Sequence, residues 1–463
     1  MKKKLMTLAL AAGLVMSCTL GANDAKAIDF KASGTWEFVW GGGQGLVDHA
    51  RGRDNFKAMQ NVGLQIDAVA SESLSGTLII ETGDTNWGKS LEGGQLGTDG
   101  EVIGVVNAYI DWFVPNTQLQ FRMGLQPIAF PAVAGGAAIL DDDMAGIVAN
   151  YKFNDNVGMT FAWARPFNDN FKNNTTLPGG NSDNYLDNMD IFMLSVPMEF
   201  DGIAVNPWFS YGVFGRNAAK EIDGDDITYM YGKGDQHNAA GFDAYGDMWF
   251  AGLPITITAV EGWNFEIDFN YGYTGISHDQ WPTHTYDEGW VVKGLAEYSL
   301  DWGTPGLFFW YGSGDDDKGV GSMPVLSGGA AFTTFVQDGS AYGFHDHDGW
   351  MTSFSGTWGL GLQIRDMSFV EDLSHTLRVT YFGGTNDGAN RATEDWTDGY
   401  LTYSDYLVEI NFDTAYQIYD NLTATVELGY VVNGIDADKW EKVGGDQDVR
   451  DAWKAGLVMC YSF

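Results

Sequence analysis

Apolar and polar residues alternate, one for one, along most of this chain. From Ile28 to Trp40 the even positions read Ile28, Phe30, Ala32, Gly34, Trp36, Phe38 and Trp40, with Asp29, Lys31, Ser33, Thr35, Glu37 and Val39 between them. From Trp263 to Tyr273 the odd positions are all aromatic or Ile, separated by Asn264, Glu266, Asp268, Asn270 and Gly272. A period of two is a β-strand with one apolar and one polar face. Past residue 27 no apolar run approaches the roughly 18 residues a membrane-crossing helix needs. A chain with this pattern has to build sheets.

Aromatic residues decide which face meets what. Trp40, Trp112, Phe130, Trp263, Tyr273, Trp290, Tyr406 and Tyr430 all fall near the ends of alternating segments. Aromatics at both margins of an apolar band are the girdles of a membrane barrel, whose polar phase lines a wet lumen. A bilayer offers no partner for free backbone groups, so such strands close into a ring. The alternation places strands at 28–40, 56–70, 74–82, 102–114, 118–130, 147–153, 157–165, 190–199, 203–215, 247–259, 263–274, 288–300, 306–312, 350–366, 373–383, 403–413, 421–432 and 451–463. It falters at 74–82 and 306–312. Tight links such as Ser71–Ser73, Pro115–Thr117 and Asn154–Asn156 alternate with long ones such as 41–55, 83–101, 131–146, 166–189 and 313–349. Short turns on one side and long loops on the other are the connectivity of outer-membrane barrels. The expected fold is an all-β, transmembrane, antiparallel up-and-down barrel of eighteen strands, with sixteen as the alternative count, forming one domain over 28–463.

Residues 1–27 read as a secretory signal. Lys2, Lys3 and Lys4 precede an apolar stretch from Leu5 to Leu20, and Ala25-Lys26-Ala27 is an A-x-A cleavage site. Val15-Met16-Ser17-Cys18 is a poorer lipoprotein alternative. Cleavage before Ile28 would leave Cys460 as the lone cysteine and so no intrachain disulfide. It would also take 25 basic against 62 acidic residues to 21 against 61, a net charge of −40. That acidity excludes nucleic acid as a partner, since phosphate binding needs a basic surface. An aromatic content of 14% excludes a disordered acidic chain.

The stretch Phe121-Arg122-Met123-Gly124-Leu125-Gln126-Pro127, the Tyr416–Glu427 segment and the acidic, Trp/Tyr/Gly-rich alternation carry a resemblance. Over 28–463 the chain resembles the outer-membrane homotrimeric porins of sulfate-reducing and related bacteria. The resemblance implies a trimer of barrels in the bacterial outer membrane, passing ions and small hydrophilic solutes by passive diffusion. The last strand agrees: Trp453, Ala455, Leu457, Met459, Tyr461 and Phe463 share one phase, and a terminal Phe resembles the signal that outer-membrane assembly reads.

In general porins the loop after the fifth strand folds inward. Here it reads Pro131-Ala132-Val133-Ala134-Gly135-Gly136-Ala137-Ala138-Ile139-Leu140, then Asp141-Asp142-Asp143. An apolar run is unfavourable outside the cell and sensible against an inner wall, so this third loop is expected in the lumen, its carboxylates at a constriction. Opposing charge is expected from inward-phase Arg122, Lys57, Lys152 and Arg378. Lys293 and Lys454 read as lumen positions with no special role. Together these would make a transverse field across a water-filled gap.

Acidic loop residues, among them Asp346, Asp348, Asp446 and Asp448, would concentrate cations over a Debye length of about 8 Å, predicting weak cation selectivity. No cofactor is expected, although Asp223, Asp225 and Asp226, and Asp315, Asp316 and Asp317, offer the hard oxygens calcium prefers without a complete calcium loop. Such clusters could equally bridge to lipopolysaccharide phosphates through divalent ions. His345 and His347 could meet a transition metal, though a polar loop cluster accounts for them as well. None of the seven histidines sits in an H-E-x-x-H or beside a G-x-S-x-G, so no catalyst is expected. Two other readings stay open. A sugar-specific eighteen-stranded porin would line its lumen with aromatics, yet only a few scattered ones (Trp208, Phe214, Phe382) fall on the inward phase. A secreted β-rich adhesin or binding protein would be soluble without detergent.

Overall fold

The computed structural model describes residues 28–463 apart from 47–54, 84, 91–92, 99, 101, 169–187, 215–245, 277–284, 338, 340–350, 352, 393–398, 437–438 and 441–449. Eighteen strands build one closed barrel. They are β1 (Asp29–Gln44), β2 (Asn55–Ser71), β3 (Leu74–Glu81), β4 (Gly104–Phe113), β5 (Leu119–Ala129), β6 (Asp141–Lys152), β7 (Gly158–Asn168), β8 (Asn188–Ser195 continued by Met198–Phe200) and β9 (Ile203–Val205 continued by Trp208–Phe214). Then come β10 (Gly246–Ile257), β11 (Trp263–Ile276), β12 (Thr285–Tyr298), β13 (Thr304–Gly312), β14 (Thr357–Val370), β15 (Leu373–Gly384), β16 (Tyr406–Tyr419), β17 (Leu422–Gly434) and β18 (Ala452–Ser462). Each pairs antiparallel with its neighbours, and β1 closes the ring by pairing β2 on one side and β18 on the other, from Thr35↔Ser462 to Gln44↔Trp453. β8 and β9 are interrupted side by side at Pro197 and Pro207, which have no N–H to give the ladder. A two-residue piece, Thr85–Asn86, extends the sheet beside β2.

All eighteen expected segments are strands, including the two where alternation falters. Three strands shift most. β6 starts at Asp141 rather than 147, β14 spans Thr357–Val370 rather than 350–366, and β16 spans Tyr406–Tyr419 rather than 403–413. Polar residues on a strand's outer end read as loop in a sequence, because nothing apolar marks their phase.

The connections sort by end. Eight turns of two to five residues occupy one end of the barrel and nine loops of eight to 44 residues the other. The turns use residues that tolerate a left-handed backbone: Asn116 (φ 62°), Asp201 (φ 47°) with Gly202 (φ 78°), and Asp372 (φ 61°).

The outer phase is an exposed apolar band, with Trp36, Leu78, Ile110, Phe209, Ile267, Phe269, Leu362, Ile410, Leu428 and Leu457 all open. A band of that extent around a molecule is a surface for hydrocarbon, not water. Aromatics gather at both margins. On the loop side Trp290 stacks on Tyr311 at 5.3 Å and Tyr381 on Tyr406 at 5.5 Å; on the turn side Trp263 meets Phe265 at 5.2 Å and Tyr298 at 5.1 Å. Ile267 lies midway along β11 and is 43% exposed. Ile267→Arg is therefore expected to cost about 2–4 kcal/mol of stability in lipid, read as a lowered urea midpoint for the barrel refolded into vesicles.

The core lies inside the ring. Phe130, Trp208, Phe250, Phe308, Trp310, Phe332, Phe354 and Phe382 are buried in one cluster between the wall and two inward-folded loops. Wall glycines make the room: a Cβ on Gly359 or Gly361 would meet the rings of Trp310 or Phe308 at 2.2 and 2.1 Å.

Candidate pore constriction

Backbone that enters a barrel leaves bulk water and needs partners for every N–H and C=O. Loop 3 (130–140) finds them on β11 and β12. Asp268 Oδ2 accepts from the Val133 and Ala134 N–H groups at 3.0 and 2.9 Å. Lys293, paired with Asp268 at 2.9 Å, donates to the carbonyls of Ala134 and Gly136. Both side chains are buried, at 0% and 1% exposure. Trp208 Nε1 donates to the Pro131 carbonyl at 3.0 Å, and its ring packs on Phe130 at 4.6 Å.

Loop 7 (313–356) enters beside it and uses the same device on β16 to β18. The Glu409 carboxylate accepts from Phe335 and Val336 N–H at 2.9 and 3.1 Å, and Asn411 Oδ1 from Thr334 N–H at 3.4 Å. Lys454 donates to the Thr334 carbonyl and pairs with Glu427 at 3.3 Å. Lys293 and Lys454, expected to be plain lumen positions, are instead the anchors of the two loops.

The loops also join each other. Leu326 and Ser327 donate to the Ile139 carbonyl, Gly329 to Ala137, and Ala331 to Gly135, at 2.8–3.0 Å. The approach depends on Gly135 (φ 63°) and Gly136 (φ 92°), and a Cβ on Gly136 would stand 2.0 Å from the Gly329 carbonyl oxygen. Gly136→Ala combines a strained φ with that collision, so it is expected to cost more than 1 kcal/mol and to speed amide exchange at Gly329 and Ala331.

The two loops fill the lumen from β5 round to β18, burying Ile128, Met144 and Lys454, while on the inner wall of β1 to β5 Glu37, Asn61, Asp67, Asp111 and Arg122 stay partly exposed. That wall carries Thr77 Oγ1 donating to Asp67 at 2.7 Å, Asn61 to Glu81 at 2.9 Å, and Arg122 held to Asp111 by two bonds of 2.9 and 3.0 Å with its guanidinium 4.3 Å from the Tyr109 ring. The remaining inner wall carries Arg365–Glu297 at 2.6 Å and Arg378–Asp413 at 3.0 Å.

The residues expected to form one ring of opposed charge stand at different heights. Asp141, Asp142 and Asp143 are the first residues of β6, not loop, and three successive strand residues cannot share a face. Asp142 accepts from Ser327 Oγ of loop 7 at 2.9 Å, Asp141 N–H donates to the Ser327 carbonyl, and Asp143 accepts from Asn107 at 2.8 Å. Asp142 pairs in register with Ile128, six residues from Arg122 on β5, about 20 Å along the strand. Lys152 ends β6 at the turn side, roughly 33 Å from Asp142 along the strand. Arg378 lies midway along β15, and Lys57 near the loop end of β2. Of these residues the structure brings Asp142, through its carboxylate, and Asp141, through its backbone, to loop 7 at Ser327. Arg365 and the Arg165–Asp190 pair (2.9 Å, beside Trp163) were missed in the sequence, though strand phase marks Arg365 as inward.

Of the calcium candidates, Asp315, Asp316 and Asp317 do not form one site. Asp315 is buried, accepting from Ser322 N–H at 3.1 Å and the Tyr400 hydroxyl at 3.3 Å, while Asp316 caps its own turn through Lys318 N–H at 2.8 Å. Asp317 is exposed. Among the described residues no group of three His, Cys, Asp or Glu could hold a metal ion. Asp223, Asp225, Asp226, Asp346, Asp348, Asp446, Asp448, His345, His347 and residues 1–27 lie outside the described residues. His375 stacks on Phe412 at 5.6 Å with Nδ1 2.9 Å from Thr414 Oγ1. The inward aromatics are more numerous than the sequence suggested, because Phe130, Phe250, Phe308, Trp310, Phe332 and Phe354 join Trp208 and Phe382; the Phe214 side chain lies outside the described residues. They are buried under the loops and do not face the open lumen.

The chain is thus an eighteen-stranded closed barrel with an apolar outer band and two loops folded into its bore. No family model and no curated protein matches the sequence. Solved structures do match in fold. OccK9 (OpdG) of Pseudomonas aeruginosa aligns with a TM-score of 0.56 and 11% identity over 94% of this chain and 98% of that one. OccK11 (OpdR) of the same organism gives 0.52 and 13% over 94% and 96%. The outer membrane protein OpdK of P. aeruginosa gives 0.53 and 10% over 94% and 98%. The likeness extends along the whole barrel.

Proposed function

We propose that the protein is an outer-membrane porin, a water-filled channel through which ions and small hydrophilic solutes diffuse passively. The observation that carries this reading is the half-open lumen: partly exposed polar side chains on the inner wall of β1 to β5 (Glu37, Asn61, Asp67, Asp111, Arg122), with the two inward loops clamped to β11–β12 and β16–β18. In this reading the turns face the periplasm, the nine loops face outward, and three barrels associate as a homotrimer in contact with lipopolysaccharide. Arg122, Lys293, Arg365, Arg378 and Lys454 each have a carboxylate partner, so the wall offers few uncompensated cations. Over the whole chain 62 acidic residues face 25 basic ones. The channel is therefore weakly cation-selective, less so as salt rises. Reversal potentials across a planar bilayer under a KCl gradient test this: a modest preference for potassium is expected, and a clear chloride preference would refute it. Most inner aromatics are buried under the loops and Tyr109 is covered by the Arg122 guanidinium, so among the described residues no line of solute-facing rings supports the sugar-guiding alternative.

A further inference from the structure

Loop 3 and loop 7 are held by two versions of one device, on β11–β12 and on β16–β18. In each, a buried carboxylate accepts from two successive N–H groups (Val133 and Ala134 to Asp268; Phe335 and Val336 to Glu409) and a buried lysine donates to the loop's carbonyls. At the first clamp the three donors of the Lys293 ammonium are all used, on Ala134 O, Gly136 O and Asp268 Oδ2. The second is shaped for its lysine: Gly429 leaves the space taken by the Lys454 stem and the Phe335 ring, where a Cβ would meet them at 3.1 and 3.2 Å. Between the clamps the loops are bonded to each other at Gly135, Ala137 and Ile139. The ribbon so formed spans from β11–β12 to β16–β18.

We propose that Lys293 and Lys454 are positioning residues that set the bore of the channel, and that they act redundantly, each able to hold the shared ribbon when the other is lost. The inference rests on the porin reading and adds to it the mechanical origin of the constriction. Releasing Lys293 frees the carbonyls of loop 3, yet loop 3 stays bonded to loop 7, which Lys454 still holds; the converse is true of Lys454. With both gone, the N–H bonds to Asp268 and Glu409 and the packing on Trp310 remain, but no ammonium holds the loop carbonyls or balances the buried carboxylates, and the ribbon loosens into the wider lumen that eighteen strands enclose.

Single-channel recording of the full chain tests this with Lys293→Met, Lys454→Met and the double variant. Each single variant should keep close to the wild-type mean conductance with more open-channel noise. The double variant should conduct about twofold more or better, exceeding the sum of the single changes, and should pass larger neutral solutes in liposome swelling. Restoring either lysine in the double variant should restore the small conductance. A double variant with wild-type conductance and exclusion limit would overturn the proposal, and single variants with the full increase would overturn the redundancy. A wild-type protein that is folded but silent would refute the porin reading itself, a separate outcome. Hydrogen exchange on the unmodified protein guards against variants that fail to fold. The amides of Val133, Ala134, Phe335 and Val336 should exchange as slowly as strand amides, and exchange at open-loop rates would overturn the clamps directly.

Discussion

Asp268→Ala is expected to destabilise the folded chain by about 3–5 kcal/mol, because it leaves a buried ammonium without its counter-charge. Lys293 is 0% exposed and has Asp268 as its carboxylate partner at 2.9 Å. The same change strips the acceptor from the Val133 and Ala134 N–H groups, and buried donors left unmade add to the cost. Asp268→Asn keeps an acceptor oxygen while removing the charge, so it should lose less. The contrast is Asp436→Ala, which breaks the exposed pair with Lys439 (2.5 Å; 31% and 55% exposed) and should cost at most about 1 kcal/mol. Urea unfolding in lipid vesicles, followed by tryptophan emission, ranks the three. Equal midpoints for Asp268→Ala and Asp436→Ala would mean that loop 3 is not held by the buried pair.

Trp310→Ala should cost a similar amount, about 3–5 kcal/mol, by opening a cavity in the inner core. The indole is 1% exposed and meets Phe332 at 5.9 Å and Phe354 and Phe382 at 5.8 Å, with Nε1 donating to Thr357 Oγ1 at 3.0 Å. It ties β13 and its neighbours to loop 7, so the loss should appear both as a lower urea midpoint and as weaker protection of loop 7 against protease. Trp310→Phe keeps most of the packing and loses the N–H, and should fall between. A midpoint shift no larger than that of a surface substitution would show that the loops dock without this core.

Period-two alternation made the barrel legible because a lipid-facing side and a wet side impose it on every strand. It weakens where that contrast is absent. On β13 the sequence Leu307-Phe308-Phe309-Trp310-Tyr311 is apolar on both phases, since Phe308 and Trp310 face the inner core while Leu307, Phe309 and Tyr311 face outward. On β3 the register shifts between Ile79 and Ile80. The inward course of loop 3 was readable from Pro131 to Leu140, an apolar run with no place in water. Loop 7 carries a comparable apolar run, Met323 to Val336, which went unread inside a long loop, while its clamps are made by backbone groups, which a sequence does not distinguish. For the same reason Lys293 and Lys454 looked like any other lumen residue: what they bind is carbonyl oxygen. The three aspartates misled in the opposite direction, as a run of like charge resembles a loop even where it begins a strand.

The central claim, an oily exterior around a hydrated bore, is tested most directly by adding the purified, unboiled protein in detergent to a planar bilayer in KCl. Stepwise current increases, proportional to salt at high concentration and stable under small voltages, are the predicted result. A folded β-rich protein that stays dispersed without detergent and leaves the bilayer electrically silent would contradict it.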